Sequence, residues 1–288
     1  MRPHSFRYTR ASTIDEALSA AADDGTFLAG GQSMVPQLKL RARTPEHLVD
    51  LNGVAGLQGI SNGSGAVRIG AMTRHRAVLE SPVVAASFPS LTDAASHLGD
   101  VQVRNRGTIG GNVCWADPRA NLSGVLISLG ATALLRSASG DDRQVPVEEL
   151  FSGFQRTGLG AGELLTGFEL PLPEPGSHTS YREISLQPNG LPIVNVAASV
   201  TGDPVTAARI VVGGLATVPI RATRCEEALR GQTLTTELAE QVAGLLDTGN
   251  AEPLDNFQAA APYRATVARV LLKRALLESA RKLRSDNA

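Results

Sequence analysis

Two short glycine-rich stretches could hold a charged ligand: Ala29-Gly30-Gly31-Gln32-Ser33 and Thr108-Ile109-Gly110-Gly111-Asn112. In each, paired glycines let the backbone take positive φ and let a ligand approach the main chain without meeting a Cβ. Consecutive amides in such a turn point into one concavity that attracts an anion. A helix starting at Ser33 would add its own free amides and dipole. Gln32, Ser33, Thr108 and Asn112 supply side-chain donors. Two such nests facing one another would grip a diphosphate from both sides, with no lysine required. A Gly-Gly pair after a strand is also a common plain turn, and Gly213-Gly214, which lacks polar followers, reads as one. The standard nucleotide motifs are absent: there is no G-x-x-x-x-G-K-[ST], and residues 158–162 lack the spacing and preceding strand of a dinucleotide fingerprint. The residues alone leave the ligand unnamed.

The elements around these turns are legible from periodicity. Thr13 and Glu16 predict a capping box for a helix through Ala22, and 26–29 a short buried strand running into the first turn. A helix over 33–41 and a strand over 47–51 follow. Residues 57–60 and 66–71 predict a hairpin joined at 61–65. Thr73 is expected as an N-cap, and Pro82 and Pro89 punctuate helices reaching about Leu98. The stretch 104–121, rich in Gly, Asn, Asp and Pro, predicts irregular backbone. A buried helix over 122–129 and strands over 131–136 and 163–170 complete this part. Residues 171–176 (PLPEPG) form the best linker. Beyond it come extended segments at 181–186, 193–200 and 208–212, helices at 224–229 and 237–246, and a long helix from near Pro262 to about Leu283. The whole reads as α+β.

Composition excludes several classes. With a net charge of -1, nothing global steers the chain toward nucleic acid or an anionic membrane. No apolar run approaches the roughly 20 residues that cross a bilayer. Two cysteines, Cys114 and Cys225, make a disulfide framework improbable and a reducing cytoplasm the simplest location. They cannot alone ligate an iron–sulfur cluster, and the five histidines lack ligand spacing, so no metal site is expected on this chain.

The turns and their surroundings resemble the FAD-binding medium subunits of the xanthine dehydrogenase and carbon monoxide dehydrogenase family, the molybdenum hydroxylases. The matching text is AGGQSMVPQLKLRARTPEHLVDL (29–51), VRIGAMT (67–73), QVRNRGTIGGN (102–112), ADPRANL (116–122) and GELLTGFELPLP (162–173), with SFRYTRASTIDEAL near the start and YRATVARVLLKRAL near the end. The resemblance implies an α+β, PCMH-type FAD-binding fold. Residues 1–176 would bind flavin, as subdomains of about 1–55 and 56–176, and 177–288 would form a smaller C-terminal α+β domain. It implies that Ala29, Gly30, Gly31, Gln32 and Ser33, with Thr108, Ile109, Gly110, Gly111 and Asn112, bind the FAD diphosphate. Residues 116–121 would run along the ribityl chain and ring, with Asp117 and Asn121 in contact, and Leu165 would pack on the cofactor. A Cβ at Gly31 or Gly110 would then be expected to block the diphosphate and abolish FAD retention. Trp115 and Cys114 could line the flavin or simply pack in the core.

Some positions depart from the family pattern. Asn121 stands where the family has an acidic residue, and Glu183, Leu186-Gln187 and Asn189-Gly190 stand where it carries lysine, arginine and Gly-Asp. The implied reaction is hydroxylation by water at a molybdenum centre on a large molybdopterin subunit. Electrons would pass through two [2Fe–2S] clusters on a small iron–sulfur subunit to FAD on this chain, in a dimer of heterotrimers. No acid–base or nucleophilic residue is then expected here. The alternatives are a self-sufficient FAD-dependent oxidase and a flavin-free interaction subunit.

Overall fold

A computed structural model describes residues 2–22 and 24–286 of the chain. The first unit runs β1 (Arg7–Arg10), α1 (Ile14–Ala21), β2 (Gly25–Leu28), α2 (Met34–Leu40) and β3 (His47–Asp50). Its strands form a parallel sheet in the order β1-β3-β2. The Thr13 hydroxyl caps α1 by accepting the Glu16 N–H at 3.1 Å, while the Glu16 carboxylate reaches back to the Ser12 N–H at 2.8 Å. The cap is therefore present, with Ser12 as the second partner. Ala17, Leu18, Val49 and Leu51 bury the face between helix and sheet.

The second unit comprises β4 (Ile60–Asn62), β5 (Ala66–Gly70), six helices, and a return to strands. The helices are α3 (His75–Leu79), α4 (Pro82–Ser87), α5 (Pro89–His97), α6 (Val101–Arg106), α7 (Ile109–Trp115) and α8 (Asn121–Ser128). The strands are β6 (Thr132–Ser137), β7 (Arg143–Pro146), β8 (Phe151–Gly153), β9 (Arg156–Thr157) and β10 (Glu163–Pro171). Five of them make an antiparallel sheet ordered β4-β5-β10-β6-β7. Every residue of α8 is buried, as its apolar run predicts.

The third unit is an antiparallel sheet ordered β11-β12-β13-β14, from β11 (Ser177–Ser185), β12 (Pro192–Thr201), β13 (Ala207–Gly213) and β14 (Ile220–Arg221). It is followed by α9 (Thr223–Leu229), α10 (Thr236–Gly244) and the long α11 (Ala261–Asp286). Leu272, Ala275 and Leu276 of α11 share a core with Val194, Val196 and Val212. Among the described residues no helix is long and apolar enough to cross a membrane.

Three local expectations fail. Residues 104–121 are largely helical rather than irregular, because the Asp100 carboxylate and the Thr108 hydroxyl each cap a new helix. Thr73 caps nothing; its hydroxyl bonds the Gly59 N–H and C=O, both at 3.0 Å. Leu57 closes a 3-10 turn over Ala55–Leu57, so the first hairpin strand begins only at Ile60.

Candidate functional site

The first glycine turn leaves the end of β2 and enters α2; the second leaves α6 and forms the first turn of α7. Both line a single cleft of about 480 Å³ between the first and second units. They touch as well as face each other. A Cβ on Gly30 would lie 2.2 Å from the Arg106 carbonyl oxygen and 2.7 Å from the Gly107 Cα. Arg74 binds the two together. Its guanidinium donates to the Arg106 carbonyl and to Asn52 Oδ1, and Asn52 Nδ2 donates to the Ala29 carbonyl at 3.0 Å. Nothing in the sequence around Arg74 signalled that role.

Counting amide donors separates the turns. Among the described residues the N–H groups of Gly31, Gln32 and Ser33 donate to no protein acceptor. Gly31 sits at φ +74, where glycine is favoured. This turn has the open amides that an anion nest needs. In the second turn the N–H groups of Ile109 and Gly110 donate to the carbonyls of Thr73 and Ala71, at 3.0 and 2.8 Å. Those of Gly111 and Asn112 donate to the Thr108 hydroxyl and carbonyl, at 3.1 and 3.0 Å. Four amides are committed, so the second turn is not a second backbone nest. It presents side chains instead: the Thr108 hydroxyl proton and the Asn112 amide, whose Oδ1 is buried without a donor.

The glycines also divide. A Cβ on Gly110 would lie 2.6 Å from the Ala71 Cβ and 2.7 Å from its carbonyl oxygen, so this glycine serves packing against Ala71 rather than ligand approach. A Cβ on Gly31 would sit 3.1 Å from a Val35 methyl. A Cβ on Gly111 would lie 2.8 Å from the Thr108 hydroxyl and 3.4 Å from the Ala29 Cβ of the first turn. Packing against Ala71 thus gives Gly110 a reason to be glycine apart from any ligand, whereas Gly31 has its φ of +74.

Asp117 lies in the cleft wall, 3% exposed, with its carboxylate held by Arg119 rather than turned to solvent. Asn121 also lines the cleft, but its Nδ2 donates to Tyr181 Oη at 3.0 Å and to Glu183 Oε2 at 2.6 Å. Glu183, on β11, thus holds Asn121 from outside the cleft lining. Asn189 and Gly190, noted above among the departures, reach the same cleft together with Leu191. Leu164 and Leu165 both line it, and β10 slips register just beyond them, between Leu165 and Gly167.

The remaining wall is apolar and chemically quiet. Trp115 carries the Arg43 guanidinium over its ring at 4.8 Å, and both residues line the cleft. Cys114 opens onto the cleft floor, yet surrounding protein pushes its thiol up to about 12, leaving it protonated at neutral pH. His75 is 3% exposed. Burial, then Arg74 and Arg104, push its imidazole down to about 4, so it is neutral. Among the described residues no three His, Cys, Asp or Glu side chains gather as a metal site.

The family profile for the FAD binding domain in molybdopterin dehydrogenase matches residues 4–173. The chain belongs to this family. A second profile, the CO dehydrogenase flavoprotein C-terminal domain, matches residues 179–279. The molybdopterin dehydrogenase flavoproteins similar to it include the glyceraldehyde dehydrogenase medium chain of Sulfolobus acidocaldarius, 34% identical over 97% of this chain and 100% of that one. Carbon monoxide dehydrogenase from Hydrogenophaga pseudoflava, in a form lacking the Mo-pyranopterin moiety of its cofactor, superposes with a TM-score of 0.93 at 32% identity, covering 98% of this chain and 99% of that one. Quinoline 2-oxidoreductase from Pseudomonas putida 86 does so at 0.91 and 31%, covering 98% and 99%. The α+β architecture with its FAD-binding and C-terminal domains is therefore that of the family.

The cleft fits FAD on its own evidence. Three uncommitted amides with a threonine hydroxyl and an asparagine amide suit a diphosphate. The unpartnered Asn112 Oδ1 suits a ribityl or ribose hydroxyl. Phe27, Leu159, Leu164, Leu165 and Trp115 offer the apolar surface that an aromatic ring needs.

Proposed function

We propose that this chain is the flavin-carrying electron-transfer subunit of a heteromeric molybdenum hydroxylase. Residues 29–33 hold the FAD diphosphate on backbone amides, and Thr108, Asn112 and the bare face of Gly111 form the opposite jaw. When bound, FAD accepts electrons pairwise or singly and so links clusters to an external acceptor. In this reading the electrons come from [2Fe–2S] clusters on a small partner subunit, fed by molybdopterin on a large one, within a dimer of heterotrimers. Residues 1–176 carry the flavin, as subdomains of about 1–55 and 56–176, and residues 177–288 form the domain beyond the linker.

The observation that carries the proposal is the single cleft that joins uncommitted amides from one unit to side-chain donors and an apolar wall from the next. The neutral His75 and protonated Cys114 support it, since neither is poised for proton transfer or attack at neutral pH. The chain's part is to bind and orient the flavin and keep bulk water from its apolar side. Purification of the chain alone, then with its partners, tests this. Yellow protein that releases FAD on denaturation, and turns over a hydroxylation substrate only with both partners, is expected. Colourless protein that cannot be reconstituted, or turnover by the chain alone, refutes it.

A further inference from the structure

A continuous set of contacts runs from the cleft wall into the C-terminal domain. Arg119 donates from Nε to Asp117 Oδ1 at 2.8 Å and from Nη2 to Oδ2 at 2.7 Å, and its backbone N–H adds a bond to Oδ1 at 3.0 Å. Its remaining nitrogen, Nη1, donates to Gln258 Oε1. Gln258 lies in the turn before α11, and fully buried Arg264 pins that turn through Asn256 Oδ1 at 2.7 Å and the Ala259 carbonyl at 3.1 Å. The main chain beside Arg119 is moored to the same domain. Asn195 Nδ2 donates to the Arg119 carbonyl at 3.0 Å and the Gly214 N–H to the Pro118 carbonyl at 2.8 Å. A Cβ on Gly213 would lie 2.9 Å from the Pro118 oxygen, so glycine there permits the approach.

We propose that Arg119 is a positioning residue through which the C-terminal domain governs FAD affinity. Asp117 places a carboxylate in the wall of a cleft that takes a doubly charged diphosphate. Left alone it would repel that anion in a site of low effective dielectric. The two-pronged guanidinium cancels it, and a planar fork does so only when correctly aimed. Gln258, which does not line the cleft, supplies the aim from the other domain. Domain docking and cofactor retention are thereby one event.

This rests on the cleft being the FAD site, and a titration of the unaltered chain tests that premise separately. The full-length chain, stripped of flavin, is titrated with FAD by flavin fluorescence, and its unfolding is followed alongside. Arg119→Gln should weaken FAD by about tenfold or more, as a like charge at an effective dielectric near 20 implies. Adding Asp117→Asn to Arg119→Gln should restore affinity to within about threefold of the original, a rescue that a purely structural arginine would not show. Gln258→Ala should cost about threefold, the net worth of one hydrogen bond, with unfolding unchanged. If Arg119→Gln does not fold, the double variant and Gln258→Ala decide. Absence of rescue by Asp117→Asn, or full affinity in Gln258→Ala, overturns the coupling while FAD binding by the unaltered chain stands. No FAD uptake by the unaltered chain removes both readings.

Discussion

Replacing Gly110 and Gly111 one at a time by alanine separates packing from ligand approach. Both lie in the first turn of α7 with ordinary φ, so alanine should gain each about 1 kcal/mol of helix propensity. At Gly110 the new Cβ falls 2.6 Å from the Ala71 Cβ and 2.7 Å from the Ala71 oxygen, which is backbone and cannot swing aside. Overpacking of this kind costs about 1–3 kcal/mol. The 2.8 Å bond from the Gly110 N–H to that oxygen would stretch as well, at about 0.5–1.5 kcal/mol. The flavin-free protein should therefore lose about 1–3 kcal/mol, visible as a Tm lower by about 2–4 °C per kcal/mol. At Gly111 the Cβ meets the Thr108 hydroxyl at 2.8 Å, which can turn away at the cost of its cap, about 1 kcal/mol. Cap loss and helix gain nearly cancel, so stability should hold while FAD affinity falls. Thermal denaturation of the flavin-free variants and FAD titration read both quantities. Should Gly110→Ala leave the flavin-free Tm untouched and lower FAD affinity alone, the division of roles between these glycines is wrong.

Two further outcomes follow from buried charge-capable groups. Because His75 is held near 4 when folded against about 6.5 when free, the unfolded chain binds the extra proton between those values, and stability falls as pH drops through that window by up to about 3 kcal/mol. Urea unfolding at pH 7 and pH 4.5 should show a smaller difference in His75→Gln; an equal difference would contradict the assignment. Arg264→Met strips the Gly214 and Ala259 carbonyls and Asn256 Oδ1 of a buried donor, and should destabilise the chain by at least about 3 kcal/mol in the same assay. A midpoint within error of the original would show that the cluster is solvated.

How much was legible depended on the range of the interactions. The long α11, the buried α8 and the hairpin-forming β5 announce themselves because periodicity and punctuation are local. The Thr13 cap is likewise local. The helix beginning at Ile109 is not, because two glycines in its first turn argue against helix until one knows that Gly110 packs on Ala71, some forty residues earlier. Thr73 looks like a cap until Gly59 claims its hydroxyl. For the site, both turns were found by composition and resemblance, yet nothing along the chain tells a free amide from a committed one. The roles of Arg74 and Arg119 also lay out of reach, since their partners Asn52, Arg106 and Gln258 come together only through the fold.

The two turns would respond differently to a bound flavin. The segment from Thr108 to Asn112 has settled its backbone within the protein and behaves as a finished anvil. The N–H groups of residues 31–33 donate to no protein acceptor and would suit an anion. If residues 29–33 take the diphosphate as proposed, flavin uptake adds hydrogen bonds to the first turn and leaves the backbone bonds of the second as they are.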